Sequence, residues 1–440
     1  MPTYQYSTNR APKQEFERGK LLADTDLILV AAVIVAFYVA AHLGANDVAN
    51  SFATSVGSGA IPLVGALAIA GGMEFLGAVL LGGRVSQTLA FEVILPEGLL
   101  STQMFVAGMF SVMVACGLWL QIATSFGLPV ASSHAVVGAL TGFAWVAVGP
   151  QAVQWWRLGI ISLSWLLVPV ASALVAAALY AICQYGILTH PAPQNQWREW
   201  LPWLSALLCG ILGWLGWSNA SAARSRSVWY GELFAGMGGQ VPSHDWYLLL
   251  WGIATVGVSW WNWSVENHGR GSIEAKFARL QILSASLVAF AHGSNDVGNA
   301  IAPLAAIAGL LHPQPPTATD GNVPIWILLL GGSGIVVGLA IWGQRVIATV
   351  GSEIIALQPS SGFCAEIGTA ITVLLASQAG LPVSTSHALV GGVVGIALVP
   401  ASQSFSYRPL RRIAGAWLGT VPAAMGLSAI TFRVLKYAFL

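Results

Sequence analysis

Long apolar stretches follow one another along almost the whole of this chain, at 27–43, 62–82, 104–126, 158–181, 201–217, 246–263, 277–291, 324–343, 363–379 and 411–432. About 20 apolar residues wound as a helix cross the hydrocarbon core of a bilayer. Backbone in lipid must satisfy its own hydrogen bonds, which a helix does within one segment. The expected fold class is therefore an all-α polytopic membrane protein. Composition agrees: 56% of the 440 residues are hydrophobic and only 8% are charged, against about 25% charged in a typical soluble domain. The net charge of +1 supplies no field for nucleic acid. Cys116, Cys183, Cys209 and Cys364 lie singly in apolar segments, without metal-ligand spacing, and read as buried thiols. Many of the 19 Trp residues fall near segment ends, as in an interfacial belt.

Four shorter apolar pieces, 44–60, 128–148, 293–311 and 381–399, are interrupted by Gly, Ser and Pro and carry polar phrases. Residues 41–50 read AHLGANDVAN and residues 291–299 read AHGSNDVGN, so Asp47 recurs as Asp296, 249 residues on. An Asp at the centre of a membrane helix costs about 2.5–3.5 kcal/mol on insertion scales. Two further echoes follow in the same order. GGRV (82–85) returns as GQRV (343–346), and GLPVASSHAVVGALTG (127–142) returns as GLPVSTSHALVGGVVG (380–395), with ten of sixteen positions identical. Three phrases in one order, at similar offsets, mark a duplication. Two halves meeting around a polar substrate point to transport. Irregular backbone at membrane depth survives only where it lines a cavity, so these pieces are expected as discontinuous helices and re-entrant hairpins.

The phrases offer two kinds of chemistry. Asn46, Asp47 and Asn50, repeated as Asn295, Asp296 and Asn299, bring side-chain oxygens to one helix face. With carbonyls freed at Gly44 and Ala45 they suit a hard monovalent cation. A hydrogen-bond network gluing helices together is the alternative. Pro129 and Pro382 break the chain ahead of Ser132 and Ser133 in one copy, and ahead of Ser384, Thr385 and Ser386 in the other. Hydroxyls there resemble helix N-caps, and a helix N-terminus offers free N–H groups to an oxyanion. An ordinary capped turn is the alternative, and His134 and His387 read more readily as packing residues than as ligands. Glu74 and Glu366 stand in apolar surroundings without a partner in the other repeat, which makes them functional candidates. Arg84 and Arg345 sit near segment ends, where they would snorkel to the interface.

No nucleophile with an orienting base and no carboxylate–histidine metal cluster is evident, so a membrane enzyme is disfavoured. A passive channel would use filter loops and rings of like charge. Residues 1–26 read as a polar tail outside the bilayer, 27–183 as a first transmembrane repeat, 184–276 as a connector with further segments, and 277–440 as a second repeat.

GANDVANSFATSVGSGA (44–60) and GSNDVGNAIAPLA (293–305), with GLPVASSH and GLPVSTSH, resemble the signatures of the PiT family of inorganic phosphate transporters over roughly residues 27–434. The resemblance implies about twelve transmembrane segments in two inverted repeats. It implies a multi-pass protein of the plasma or inner membrane that takes up inorganic phosphate by symport with Na+ or H+, without a covalent cofactor, and suggests a homodimer. A sulfate or related-oxyanion symporter of the same fold is the competing reading. By position, Asn46, Asp47, Asn295 and Asp296 fall on the family's coupling-ion and phosphate motifs. Glu74 falls on its important glutamate, with Glu366 as the counterpart in the second half. Asn50, Asn299 and the Ser/Thr hydroxyls of the hairpins would contact the anion. Ala131 departs from the pattern, standing where Ser384 stands in the second copy, and removes one expected donor.

Overall fold

The computed structural model describes residues 12–94, 100–125, 130–222, 252–260, 263–264, 271–311, 323–353, 357–399 and 408–439. Among these residues the regular structure is helical, apart from one isolated bridge between Ile94 and Val153. The principal helices are α1 (Pro12–Asp47), α2 (Ala49–Gly57), α3 (Leu63–Leu81), α4 (Gly83–Phe91), α5 (Thr102–Ser125), α6 (Ser132–Ala147), α7 (Trp155–Cys183), α8 (Pro193–Ala222), α9 (Ile273–Leu311), α10 (Ile325–Glu353), α11 (Pro359–Gln378), α12 (Thr385–Ala397) and α13 (Arg408–Phe439). Among the described residues, seven spans are long and apolar enough to cross a membrane, one of them α1 and α2 taken together, while α6 and α12 are shorter apolar helices. Exposed apolar rows, such as Leu163, Leu166, Leu167, Val170 and Leu174 on α7, present the surface that lipid would cover.

The duplication is visible in the packing. Helix α1 lies on α10 as α9 lies on α3, α6 lies on α13 as α12 lies on α7, and α5 meets α13 as α11 meets α7. Glycines set the closest approaches. A Cβ on Gly44 would meet the backbone of Ile335, and one on Gly293 the backbone of Glu74. A Cβ on Gly77 would meet the carbonyl of Phe290, and one on Gly338 that of Ala41. Each contact in one half is thus the image of one in the other. The images fix residue correspondences that the sequence left open: Ile335 stands where Glu74 stands, and Leu43 where His292 stands. Pro169 inside α7 and Pro422 inside α13 are a further matched pair.

The two Asn-Asp phrases differ from each other in local structure: the first falls at a helix break, as expected, and the second does not. The first is interrupted only by a one-residue turn at Val48, whose own φ and ψ are helical. The second lies inside α9, which runs unbroken for 39 residues. Helix α1 ends at Asp47, so carbonyls of its last turn, Ala45 among them, lack a further helical partner, whereas α9 continues through the second phrase; Gly44 also serves close packing. The second hairpin is as expected, the long helix α11 followed by a non-helical tip and the short helix α12; in the first, α5 and the short helix α6 flank a tip of which residues 126–129 lie outside the described residues. Residues 12–26, read as a polar tail, continue α1. The apolar segment 201–217 lies within α8. Pro129, residues 223–251 of the connector and most of the Pro-rich loop 312–323 lie outside the described residues. Arg84 reaches the carbonyl of Gln378, 2.6 Å away at the end of α11, and so caps that helix with positive charge.

If these glycines set helix spacing, Gly338→Ala must push α10 off α1, an overpacking cost of about 1–3 kcal/mol. Gly72→Ala, where a Cβ meets nothing within 4 Å, serves as control. Melting followed by tryptophan fluorescence should show a lowered midpoint for the first variant only. Equal midpoints would contradict the assignment.

Candidate functional site

The two Asn-Asp phrases converge through a residue that repeat reasoning passed over. His292, one turn before Asp296 on α9, is completely buried with carboxylates on both sides of its ring. Its Nδ1 lies 3.0 Å from Glu74 Oε1 on α3, and its Nε2 lies 2.9 Å from Asp296 Oδ2 and 3.9 Å from Asp47 Oδ2 at the end of α1. Both ring nitrogens lie close to carboxylate oxygens without a well-aligned hydrogen bond. Three carboxyl groups thus meet a single imidazole in a buried site. The pseudo-symmetric pair, Leu43 and Ile335, is apolar and buried. The His292–Glu74 pair is therefore a feature of one side of the duplicated frame.

Around this core the predicted residues take distinct places. Asn46 and Asn50 both donate to Asp47 Oδ1, at 3.0 and 3.3 Å, and Asn46 accepts from Thr124 of α5. On α9, Asn299 donates to Asp296 Oδ1 at 3.3 Å and to Ser132 of the first hairpin at 3.1 Å. Thr385 of the second hairpin donates to Asp296 Oδ2 at 3.0 Å. Asp296 and Asn299 thus tie both hairpin tips to one turn of helix. Asn295 points elsewhere. It donates to Ser377 Oγ and the Leu381 carbonyl and accepts from Val383 N–H, so its polar atoms hold the second hairpin's backbone.

The hairpin tips are chemically unequal. Ser384 caps α12, its hydroxyl accepting from His387 N–H and pairing with Ser386 at 2.8 Å. Ala131 occupies the same position before α6 and gives no side-chain cap. The loss of a hydroxyl there opens the helix N-terminus instead of removing an anion donor. Beside it, Ser133 Oγ is buried without a partner, as are the acceptors Asp47 Oδ2, Glu74 Oε2 and Asn299 Oδ1. Buried polar groups are rarely left unpaired. Both nitrogens of His292 and of His387, and Nδ1 of His134, are likewise without a hydrogen-bond partner; a free hydroxyl at a helix N-terminus beside unmatched carboxylate oxygens fits an anion next to cations. Asp47, His292 and Asp296 also bring ligand atoms within 4.8 Å of one another. His134 and His387 face each other across the tips, their ring centroids 4.8 Å apart, and pack on Trp165 and Trp417.

Glu366 bonds to none of these groups. It lies fully buried on α11, accepting from Thr54 (2.6 Å), Ser55 (2.9 Å), Gln281 (3.2 Å) and Ser284 (2.5 Å). By the hairpin offset its counterpart is Met113, so Glu74 and Glu366 are not images of each other. Helix α2 links the two regions, because Ser51 donates to Glu74 at 3.1 Å one turn before Thr54 and Ser55. The sequence signal for this second cluster was hydroxyls three and four residues past Ser51, legible only once the partner helix is known.

Comparison with known proteins agrees with this geometry. The model of the phosphate transporter family matches residues 43–428. The chain belongs to that family. A Haemophilus influenzae relative carrying the name of a phosphate permease is 36% identical, the match covering 94% of this chain and 97% of the relative. Inorganic phosphate transporter 2-1, chloroplastic, of Arabidopsis thaliana is 33% identical over 93% of this chain and 72% of its own length. A solved structure described as the sodium-dependent phosphate transporter superposes with a TM-score of 0.82 at 33% identity, covering 94% of this chain and all of that one. The protein is a multi-pass integral membrane protein, a transporter and not an enzyme.

Removing one partner of a buried charge set leaves the others uncompensated, at a cost of about 3–5 kcal/mol. His292→Gln should therefore lower the melting midpoint far more than His42→Gln, whose ring only packs against Tyr38 and Trp342. Matching midpoints would show that His292 carries no such charge.

Proposed function

We propose that the protein takes up inorganic phosphate by symport with Na+, through alternating exposure of a site shared by its two repeats. The observation that carries this reading is the set of buried orphans: an uncapped helix N-terminus with Ser133 on one side, and surplus carboxylate oxygens on the other. Phosphate docks on the first turn of α6, with Ser132, Ser133, Thr385 and Ser386 as hydroxyl partners and the backbone N–H groups as donors. Coupling cations bind Asp47 and Asp296, with Asn46, Asn50 and Asn299 as neutral oxygen ligands. A phosphate anion entering beside three carboxylates and one imidazole meets net repulsion, which strengthens at low dielectric. Bound cations turn that repulsion into attraction, so neither ion is held well alone. The Na+ assignment is supported by the oxygen-rich ligand set and by the sodium dependence named for the structural relative. A proton could neutralise a carboxylate, but it would bring no oxygen-coordinated ion for the orphaned amide of Asn299.

Asp47→Asn and Asp296→Asn should each abolish cation-dependent phosphate uptake in cells while surface labelling shows the protein in the membrane. Normal uptake by both variants would sink the assignment. Ser133→Ala should raise the half-saturating phosphate concentration roughly tenfold, the scale of one charge-assisted hydrogen bond, and leave Na+ half-saturation within a factor of about two. Excess sulfate should fail to compete in the same assay; full competition would favour a general oxyanion site.

A further inference from the structure

The two hairpin tips meet at rings for which the ion sites have no use. His134 on α6 and His387 on α12 face each other with centroids 4.8 Å apart, and both side chains are buried. Trp165 of α7 stacks on His134 at 3.8 Å, and Trp417 of α13 packs on His387 at 3.5 Å. Each Trp reaches across the frame. Helix α12 lies on α7 and α6 lies on α13, so each Trp grips the hairpin that its own helix does not cover. Trp165 also donates from Nε1 to the Pro382 carbonyl of the second tip, 3.0 Å away. It packs against the core of the first hairpin, while Val168, one turn on, belongs to the core of the second. The four rings thus form one chain from α7 to α13 through both tips.

Their place relative to the anion follows from helix geometry. Ser132 and Thr385, the first residues of α6 and α12, bond to Asn299 and Asp296 of α9. His134 and His387 come two residues later, about 200° further round a helix of 3.6 residues per turn. The rings therefore close the tips on the face away from α9 and its carboxylates.

A permanent plug needs only apolar rings. This one leaves polar atoms unpaired: Nδ1 of His134, both nitrogens of His387 and Nε1 of Trp417 are buried without a hydrogen-bond partner. Pro169 offers no N–H to the Trp165 carbonyl four residues before it, and that carbonyl lies beside His387 without an aligned bond. Unpaired buried groups make the closed chain costly. Water that enters when the rings part would pair them, which offsets the loss of ring contacts.

We propose that Trp165, His134, His387 and Trp417 form a gate on the phosphate site, and that phosphate passes between the site and solvent on this face when the two imidazoles separate. All four are positioning residues, which hold the tips together without bonding to either ion. The proposal rests on the reading of the hairpin tips as the phosphate site.

Substitutions at position 387 separate a gate from packing. His387→Phe keeps a ring and removes the nitrogens, whereas His387→Gln loses the ring and keeps polar atoms that water can pair. Two readouts on the purified full chain are needed: equilibrium binding of radiolabelled phosphate in lipid nanodiscs with Na+, and the maximum rate of Na+-driven phosphate uptake into proteoliposomes. His387→Phe should lower the maximum rate roughly tenfold, the scale of one hydrogen bond to water lost in the opening step. Its phosphate affinity should stay within a factor of about two, since the bound state is untouched. His387→Gln should transport faster than His387→Phe. Rings that only pack would give the reverse order, and that order would overturn the gate. So would a wild-type maximum rate in His387→Phe, or a phosphate affinity that falls as far as the rate. Failure of the phosphate-site reading shows separately, as unaltered phosphate binding in Ser133→Ala. If His387→Phe does not yield monodisperse protein, His134→Phe and His134→Gln give the same comparison on the other tip, with the same order expected and the same reversal contradicting it.

Discussion

Everything in this molecule is arranged about one electrostatic imbalance: three buried carboxylates share a single imidazole. Asp47, Glu74 and Asp296 arrive from three helices, and His292 stands between them. Such a cluster is poorly stable by itself, because each charge has left water and the signs do not cancel. On the proposed symport reading, the cargo completes the charge set, and cations that do so prepare the place for an anion. The long unbroken α9 is the element that makes this workable. It carries His292, Asp296 and Asn299 on successive turns and reaches α3, both hairpin tips and the end of α1.

The duplicated architecture supplies the frame and leaves the chemistry to departures from symmetry. Glycine contacts, helix neighbours and kinking prolines repeat faithfully between halves. Charged residues do not. His292 and Glu74 face Leu43 and Ile335 across the pseudo-symmetry, Glu366 faces Met113, and the capped α12 faces the uncapped α6. Identical halves would give two equal sites competing for one substrate. On the proposed reading, paired hairpins with unlike tips give one anion site beside carboxylates drawn from one side of the frame.

Much of the fold was legible in the sequence. Apolar stretches located most of the helices, and repeated phrases located the hairpins and the two Asn-Asp turns. The reading of Asp47, Asp296, Ser132 and Thr385 as neighbours required only that the two copies meet. Three things were hidden. The register between Glu74 and Glu366 was misread, because their images are apolar residues that no polar pattern would flag. His292 precedes Asp296 by four residues where His42 precedes Asp47 by five, and its importance lies in Glu74, which sits 218 positions earlier in the chain. The second Asn-Asp phrase was expected in a broken helix, whereas it lies inside the continuous α9, where Gly293 lets α9 touch α3. Each miss has one cause: composition announces that a residue is polar or small, but only tertiary packing says which neighbour it answers.

The central claim is that cations offset this charge deficit and thereby drive phosphate inward. It is tested most directly by tracer phosphate uptake into proteoliposomes of the full chain, with an inward Na+ gradient and equal pH on both sides. The account predicts accumulation above the external concentration, collapsing to equilibration or less when choline replaces Na+. Accumulation that persists unchanged in choline would contradict it.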